Sequence, residues 1–344
     1  MGPSKGCVTA DVTLSISPTA LPCFTLKSLM TDLQSWMERL RAGDPRALAR
    51  AISTVENRSP DSADLLKALF PHSGKARIIG MTGPPGAGKS TLVDQLAKHY
   101  RREGKTLGII AVDPTSPYTG GAILGDRIRM QDHHADPGIY IRSMATRGSL
   151  GGLARTTADV ATVLDASGRD LILIETVGVG QDEVDIVRLA DITVVILVPG
   201  MGDDVQTIKA GIMEIADIFV INKSDREGAE RVEREIRAMQ SLAMRDDRWS
   251  PPIVKTVASE GKGIEELAAA IANYEAYLKK ENLALKRNIQ NWQERLVEML
   301  RDAMLERARA QLGDGRAEQY AAEVAQHKRD PYTLVEEIVR KVGQ

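Results

Sequence analysis

Cysteine is almost absent: Cys7 and Cys23 are the only two in 344 residues, and both precede residue 27. They can supply neither a disulfide framework nor a four-thiolate metal site, which points to a reducing, cytoplasmic compartment. Aromatic residues make up only 4%, and the formal net charge is only −2. With few stacking platforms and no strong positive field, no nucleic-acid partner is expected. No apolar run approaches the ~20 residues that span a bilayer, so no membrane-crossing helix is expected. The first residues lack the basic-then-apolar order of a secretory signal, and Gly6 stands where myristoylation after Gly2 wants Ser or Thr. Residues 1–26 read as a disordered leader, or as partly added by cloning.

What remains is ordinary for a globular chain, with 43% hydrophobic and 27% charged residues. The length suits one large domain or two modest ones. Leu29, Leu33, Trp36 and Leu40 recur at helical spacing, and Gly43 followed by Asp44-Pro45 reads as a helix stop and a new N-cap. A helical extension over 27–75 is therefore expected, with further helices to about Asn57 and over Ser62–Leu69. Over 76–280, apolar β-branched runs alternate with helical patterns; strands are expected at 76–82, 106–112, 139–143, 170–175, 192–198, 218–222 and 253–257. Nearly continuous apolar strands imply cover on both faces, hence an α/β, doubly wound, mostly parallel sheet. Beyond residue 280 only helical periodicity continues. Leu285, Ile289, Trp292, Leu296, Met299, Leu300 and Ala303 form a stripe ending near Gly313. It suits either the protein's own core or a dimer interface.

Gly83-Pro-Pro-Gly-Ala-Gly-Lys-Ser90, between an apolar strand and a helix, matches the phosphate loop G-x-x-x-x-G-K-[ST] in its required context. Its backbone N–H groups, from Gly83, Pro85 to Gly88 and onward through Thr91, offer a cradle for polyphosphate, Pro85 itself lacking a donor. Lys89 is assigned to the β- and γ-phosphates and Ser90 to Mg²⁺. Ile218-Phe-Val-Ile-Asn222-Lys223-Ser-Asp225 ends a further apolar strand in Asn-Lys-x-Asp. One carboxylate, Asp225, can accept from both N1–H and the 2-amino group of guanine while repelling adenine. Ala258 and its small neighbours stand where a backbone N–H could approach the guanine carbonyl. Asp113, Asp126 and Glu175 are candidate Mg²⁺-side carboxylates, Asp113 and Glu175 at strand tips. Glu175-Thr-Val-Gly178 occupies the place of an Asp-x-x-Gly element whose glycine N–H senses the γ-phosphate. Val179 follows, where fast GTPases carry a water-orienting glutamine, so slow basal hydrolysis raised by a partner is expected. The basic, glycine-rich stretch from Arg142 through Arg147 to Gly152 reads as a switch or partner-contacting loop.

Together with Val112-Asp-Pro-Thr-Ser-Pro117, Gly125-Asp-Arg-Ile-Arg-Met130 and Pro199-Gly-Met-Gly-Asp-Asp204, these motifs resemble the MeaB family. Its members are ArgK-like P-loop GTPases that chaperone adenosylcobalamin-dependent methylmalonyl-CoA mutase. The resemblance spans roughly 27–344. It implies a SIMIBI-like fold, GTP and GDP as ligands with Mg²⁺, a homodimer with a C-terminal dimerisation arm over 281–344, and a mutase or related acyl-CoA mutase as partner. Cobalamin loading would be gated and the mutase protected from inactivation. The resemblance also assigns Asp203, Asp204, Gln206 and Lys209 to a third switch coupled to the mutase. A nickel-insertion GTPase shares this fold branch but needs His and Cys clusters, and here only His133-His134 are adjacent. A transport-associated kinase would need a protein phosphate acceptor site, which no motif supplies.

Overall fold

Gly43 takes φ +82° and ends the first helix, α1 (Leu26–Arg41); one residue later the Asp44 carboxylate caps α2 (Pro45–Glu56). It accepts from the N–H groups of Arg46 at 2.8 Å and Ala47 at 3.3 Å. Pro45 fills the first helical position, where an N–H would be orphaned anyway. The Arg39 guanidinium bonded to Asp44 holds that carboxyl below its ordinary range, with the Arg46 N–H adding to the effect. α3 (Ser62–Leu69) completes the helical lead into the sheet. This computed structural model describes residues 26–113, 136–145, 152–176, 189–200, 216–242 and 249–342.

Seven strands form one sheet in the order β3-β2-β4-β1-β5-β6-β7, every pair parallel. They are β1 (Arg77–Thr82), β2 (Leu107–Asp113), β3 (Ile139–Ala145), β4 (Leu171–Glu175), β5 (Ile192–Leu197), β6 (Ile218–Ile221) and β7 (Ile253–Lys255). β4, β5 and β6 are buried throughout, as their unbroken apolar sequences require for a sheet covered on both faces. The last strand is shorter than its apolar run, because Val257 leaves the ladder to pair with Lys262.

One face packs against α4 (Lys89–Arg102) and α7 (Ile264–Lys280), joining Leu92, Leu96, Leu267 and Ile271 to Ile79, Leu173 and Val194. The other receives Val160 and Leu164 of α5 (Gly152–Ala166) against Ile110, Ile172 and Ile174. Leu48 and Ile52 of α2 and Leu65 and Leu69 of α3 belong to that same cluster, so the N-terminal helices share a core with the sheet. α6 (Ala229–Leu242) covers Phe219 and Ile221 with Val232 and Ile236.

The C-terminal arm consists of α8 (Leu283–Ala325), interrupted at Gly313 (φ 61°, ψ 159°), and α9 (Pro331–Val342). It is anchored through Arg287, which donates at 3.0 and 2.9 Å to Asp217, a fully buried carboxylate, and also to the Tyr274 hydroxyl. Farther along, Trp292 meets Phe70 edge-on at 5.5 Å and carries the Arg295 guanidinium over its face. Leu285, Ile289, Leu296 and Leu300 are all at least half exposed, so this stripe does not serve the protein's own core. No helix among the described residues is long and apolar enough to cross a membrane.

Candidate functional site

The phosphate loop leaves β1 through two tight approaches. A Cβ on Gly83 would stand 2.1 Å from the Ile196 carbonyl oxygen of β5, and one on Gly88 would stand 2.5 Å from Asn222 Nδ2. Gly88 also holds φ +85° as it opens α4, a conformation only glycine adopts without cost. Gly86, by contrast, faces open space, and with Pro85 and Thr91 it lies exposed at the mouth. Ala87 is fully buried. Lys89, only 6% exposed, donates to the carbonyls of Gly83 at 2.8 Å and Pro84 at 3.1 Å, which places its ammonium inside the loop.

Ser90, on the first turn of α4, donates its hydroxyl to Glu175 Oε1 at 2.6 Å; both residues are buried. The sheet register explains the meeting, because Glu175 ends β4 directly beside Met81 of β1. At the same edge Thr176 donates to the Thr82 hydroxyl at 3.0 Å. A hydroxyl and a carboxylate at the mouth of a phosphate loop are hard oxygen donors, a partial set of the kind Mg²⁺ accepts while keeping several waters. Asp113 ends β2 level with Ala145 of β3, one strand away from Glu175, so its backbone is at the same sheet edge.

The second half of the site is sewn to the first by Asn222, which is 2% exposed. Its amide donates to the Ala87 carbonyl at 2.8 Å, while its oxygen accepts from the Thr256 hydroxyl at 3.0 Å and the Ala258 N–H at 3.1 Å. Lys223, at φ +55°, donates to the Gly86 carbonyl at 2.7 Å. Asn222 thus ties three chain segments together, and the Ala258 N–H is engaged with it. Asp225 is exposed at the end of this turn, its carboxylate near Lys262. Thr256 was not singled out by sequence; the only signal was its place at the end of the last apolar strand.

Arg142 lies on β3 and pairs with Glu56 at the end of α2, so its charge is engaged within the fold. The Asp113 side chain, Asp126, Arg147, Gly178, Val179, Asp203, Asp204, Gln206 and Lys209 lie outside the described residues, as does the His133-His134 pair.

A parallel sheet with a glycine loop, an internal lysine, a Ser–Glu pair at the strand tips and an Asn-Lys-x-Asp turn behind it defines a P-loop GTPase. The chain belongs to the MeaB family: the profile described as methylmalonyl-CoA mutase-associated GTPase MeaB matches residues 48–312. A protein named as a GTPase in Pyrococcus abyssi is 49% identical over 89% of this chain and 95% of its own. The mouse mitochondrial methylmalonic aciduria type A homolog is 36% identical over 77% of this chain and 70% of its own. A crystal structure titled LAO/AO transport system kinase superposes with a TM-score of 0.68 at 27% identity, over 91% of this chain and 98% of that one.

Proposed function

We propose that this MeaB-family GTPase is a Mg²⁺-dependent switch acting on an adenosylcobalamin-dependent methylmalonyl-CoA mutase, or a related acyl-CoA mutase, gating cofactor loading and protecting the enzyme from inactivation. The family description and the name of the mouse relative support the client class. The observation that carries the nucleotide reading is the Asn222 bridge, which holds the phosphate loop and the guanine-reading turn in one frame. In this reading Lys89 exchanges its carbonyl contacts for phosphate oxygens, Ser90 and Glu175 hold the metal side with Asp113 and Asp126, and Asp225 reads the base. Gly178 reports the γ-phosphate. Bound Mg²⁺ would neutralise charge on the β- and γ-phosphates.

With valine at 179, no side chain there can orient water, so basal hydrolysis is slow and the client accelerates it. Arg142, Arg147, Asp203, Asp204, Gln206 and Lys209 are the residues assigned to coupling with the client. The exposed stripe on α8 supports a homodimer, since a contiguous apolar face of this kind is uncommon on a monomer. Phosphate-release assays on the full chain, alone and with purified cobalamin mutases, test the proposal. A rate at least tenfold higher with one mutase is expected, and no acceleration by any of them would overturn the client assignment.

A further inference from the structure

Two threonines end the strands that frame the phosphate loop. Thr82 closes β1 immediately before Gly83, and Thr176 follows Glu175 at the tip of β4; they are 0% and 1% exposed. The Thr176 N–H donates to the Met81 carbonyl at 3.1 Å, one step past the Met81–Glu175 pair that ends the β1–β4 register. Its hydroxyl donates to the Thr82 hydroxyl at 3.0 Å, so a side-chain bond joins the two strand tips where the backbone ladder stops.

Side chains alternate along a strand, which sets this bond and the Ser90–Glu175 bond on opposite faces of the sheet. Leu173 of β4 packs with Ile79 and Met81 of β1 in the cluster that contains Leu92 and Leu96 of α4; Glu175 keeps the phase of Leu173 and meets Ser90 of α4. Ile172 and Ile174 of β4 join Val160 and Leu164 of α5, with Ile78 of β1 packed against the same cluster. Thr176 and Thr82 continue that second set. The tip of β4 is therefore held to the phosphate-loop edge from both sides, by Glu175 on the α4 face and by Thr176 on the α5 face.

Packing alone does not call for hydroxyls at these two positions, since valine shares the branched shape of threonine. A buried hydroxyl is costly unless it is hydrogen-bonded, and a neutral bond between two of them nets only about 1 kcal/mol. What such a bond supplies beyond stability is direction. It fixes the strand tip against rotation about its own axis, and the Ser90–Glu175 contact at 2.6 Å tolerates little such rotation.

We propose that Thr82 and Thr176 are positioning residues for the metal side of the site. Their hydroxyl bond holds the tip of β4 and thereby aims the Glu175 carboxylate at Ser90 and Mg²⁺, while both threonines lie on the other face of the sheet and act only through Glu175. The inference rests on the reading of Ser90 and Glu175 as the metal pair. Groups that orient metal ligands are typically worth about 10–100-fold in metal affinity or activity.

The test is the Mg²⁺ concentration that gives half-maximal GTP hydrolysis by the full chain, measured for the parent protein, T82V, T176V, T176S and T82V/T176V, with GDP affinity in EDTA measured alongside. T82V and T176V should each raise that concentration at least about tenfold and leave GDP affinity in EDTA within about twofold of the parent. The double change should be no worse than either single one, because both remove the same bond, and T176S, which keeps the hydroxyl, should behave as the parent. A lower urea midpoint with an unchanged Mg²⁺ requirement would reduce the pair to packing and overturn the proposal. So would additive losses in the double variant, or T176S as impaired as T176V, since the methyl group and not the hydroxyl would then be what matters. A parent protein that hydrolyses GTP equally well without Mg²⁺ would refute the metal reading of Ser90 and Glu175, and the proposal with it.

Discussion

Replacing Asn222 with alanine tests whether this residue is a structural staple. The change removes one donor and one double acceptor from a position 2% exposed, leaving the Ala87 carbonyl, the Ala258 N–H and the Thr256 hydroxyl without their partner. Each buried polar group so abandoned costs ~1–3 kcal/mol, less where it can rotate toward another partner, as the threonine hydroxyl can. A loss of about 3–5 kcal/mol follows, since the three effects share one side chain and do not add in full. In a chain of this size that lowers Tm by roughly 5 °C. Asp225 supplies the contrast: it is exposed and has no hydrogen bond to another described residue, so Asp225→Asn should leave stability within about 0.5 kcal/mol while shifting preference from guanine toward xanthine nucleotides. Urea unfolding and nucleotide titration of both variants read the two effects separately. If Asn222→Ala unfolds within about 1 kcal/mol of the parent protein, the staple argument is wrong. Unchanged GTP affinity in Asp225→Asn would refute the base-reading role.

Two glycines of the phosphate loop should diverge: Gly83→Ala should abolish nucleotide binding or folding, because its Cβ would meet the Ile196 carbonyl at 2.1 Å. Gly86→Ala faces open space and should cost only the ~1–2 kcal/mol of its positive φ, measured by thermal unfolding. Arg287→Ala removes the guanidinium from the buried Asp217 carboxylate, which keeps the Thr193 N–H, and should cost about 3–5 kcal/mol; a loss under about 1 kcal/mol would show that the arm is anchored elsewhere. The double change Leu296→Asp and Leu300→Asp removes two exposed apolar residues and should convert the proposed homodimer to a monomer in sedimentation velocity without lowering Tm; a parent protein that already sediments as a monomer would refute the dimer.

The sheet was legible because its strands are short apolar runs with no alternation, which only cover on both faces explains. Gly43 and Asp44-Pro45 marked a helix boundary correctly because cap chemistry is local. The Ser90–Glu175 contact was less accessible: both residues were named for the metal, but their 2.6 Å approach follows from β1 and β4 being neighbours. That pairing depends on the strand order, which local sequence does not encode. Arg287 and Asp217 escaped notice for the same reason, being 70 residues apart on elements that meet only after the arm docks. The N-terminal helices read as an extension, yet Leu48 and Leu65 share a core with Val160 and Ile172, since amphipathic periodicity shows that a face is buried without naming its partner.

The Asn222 and Lys223 contacts also bear on how such a switch divides its labour. They bind the Asn-Lys-x-Asp turn to the phosphate loop across 135 and 137 residues of sequence, so under the proposed function the two loops respond to nucleotide as one body. A ligand can shift a conformational equilibrium only through contacts that differ between states, and GDP and GTP offer this body the same base and the same α- and β-phosphates. Under the proposed function, discrimination then comes from the groups assigned to the γ-phosphate and Mg²⁺, of which Ser90 and Glu175 are the described pair. Asn222→Ala should therefore weaken GDP and GTP by the same factor and leave their ratio unchanged, whereas Ser90→Ala or Glu175→Gln should change the ratio at least fivefold in Mg²⁺. Titrations of both nucleotides against the three variants decide the point. A changed ratio in Asn222→Ala would mean that the staple itself moves between states, and the fixed frame would have to be sought elsewhere.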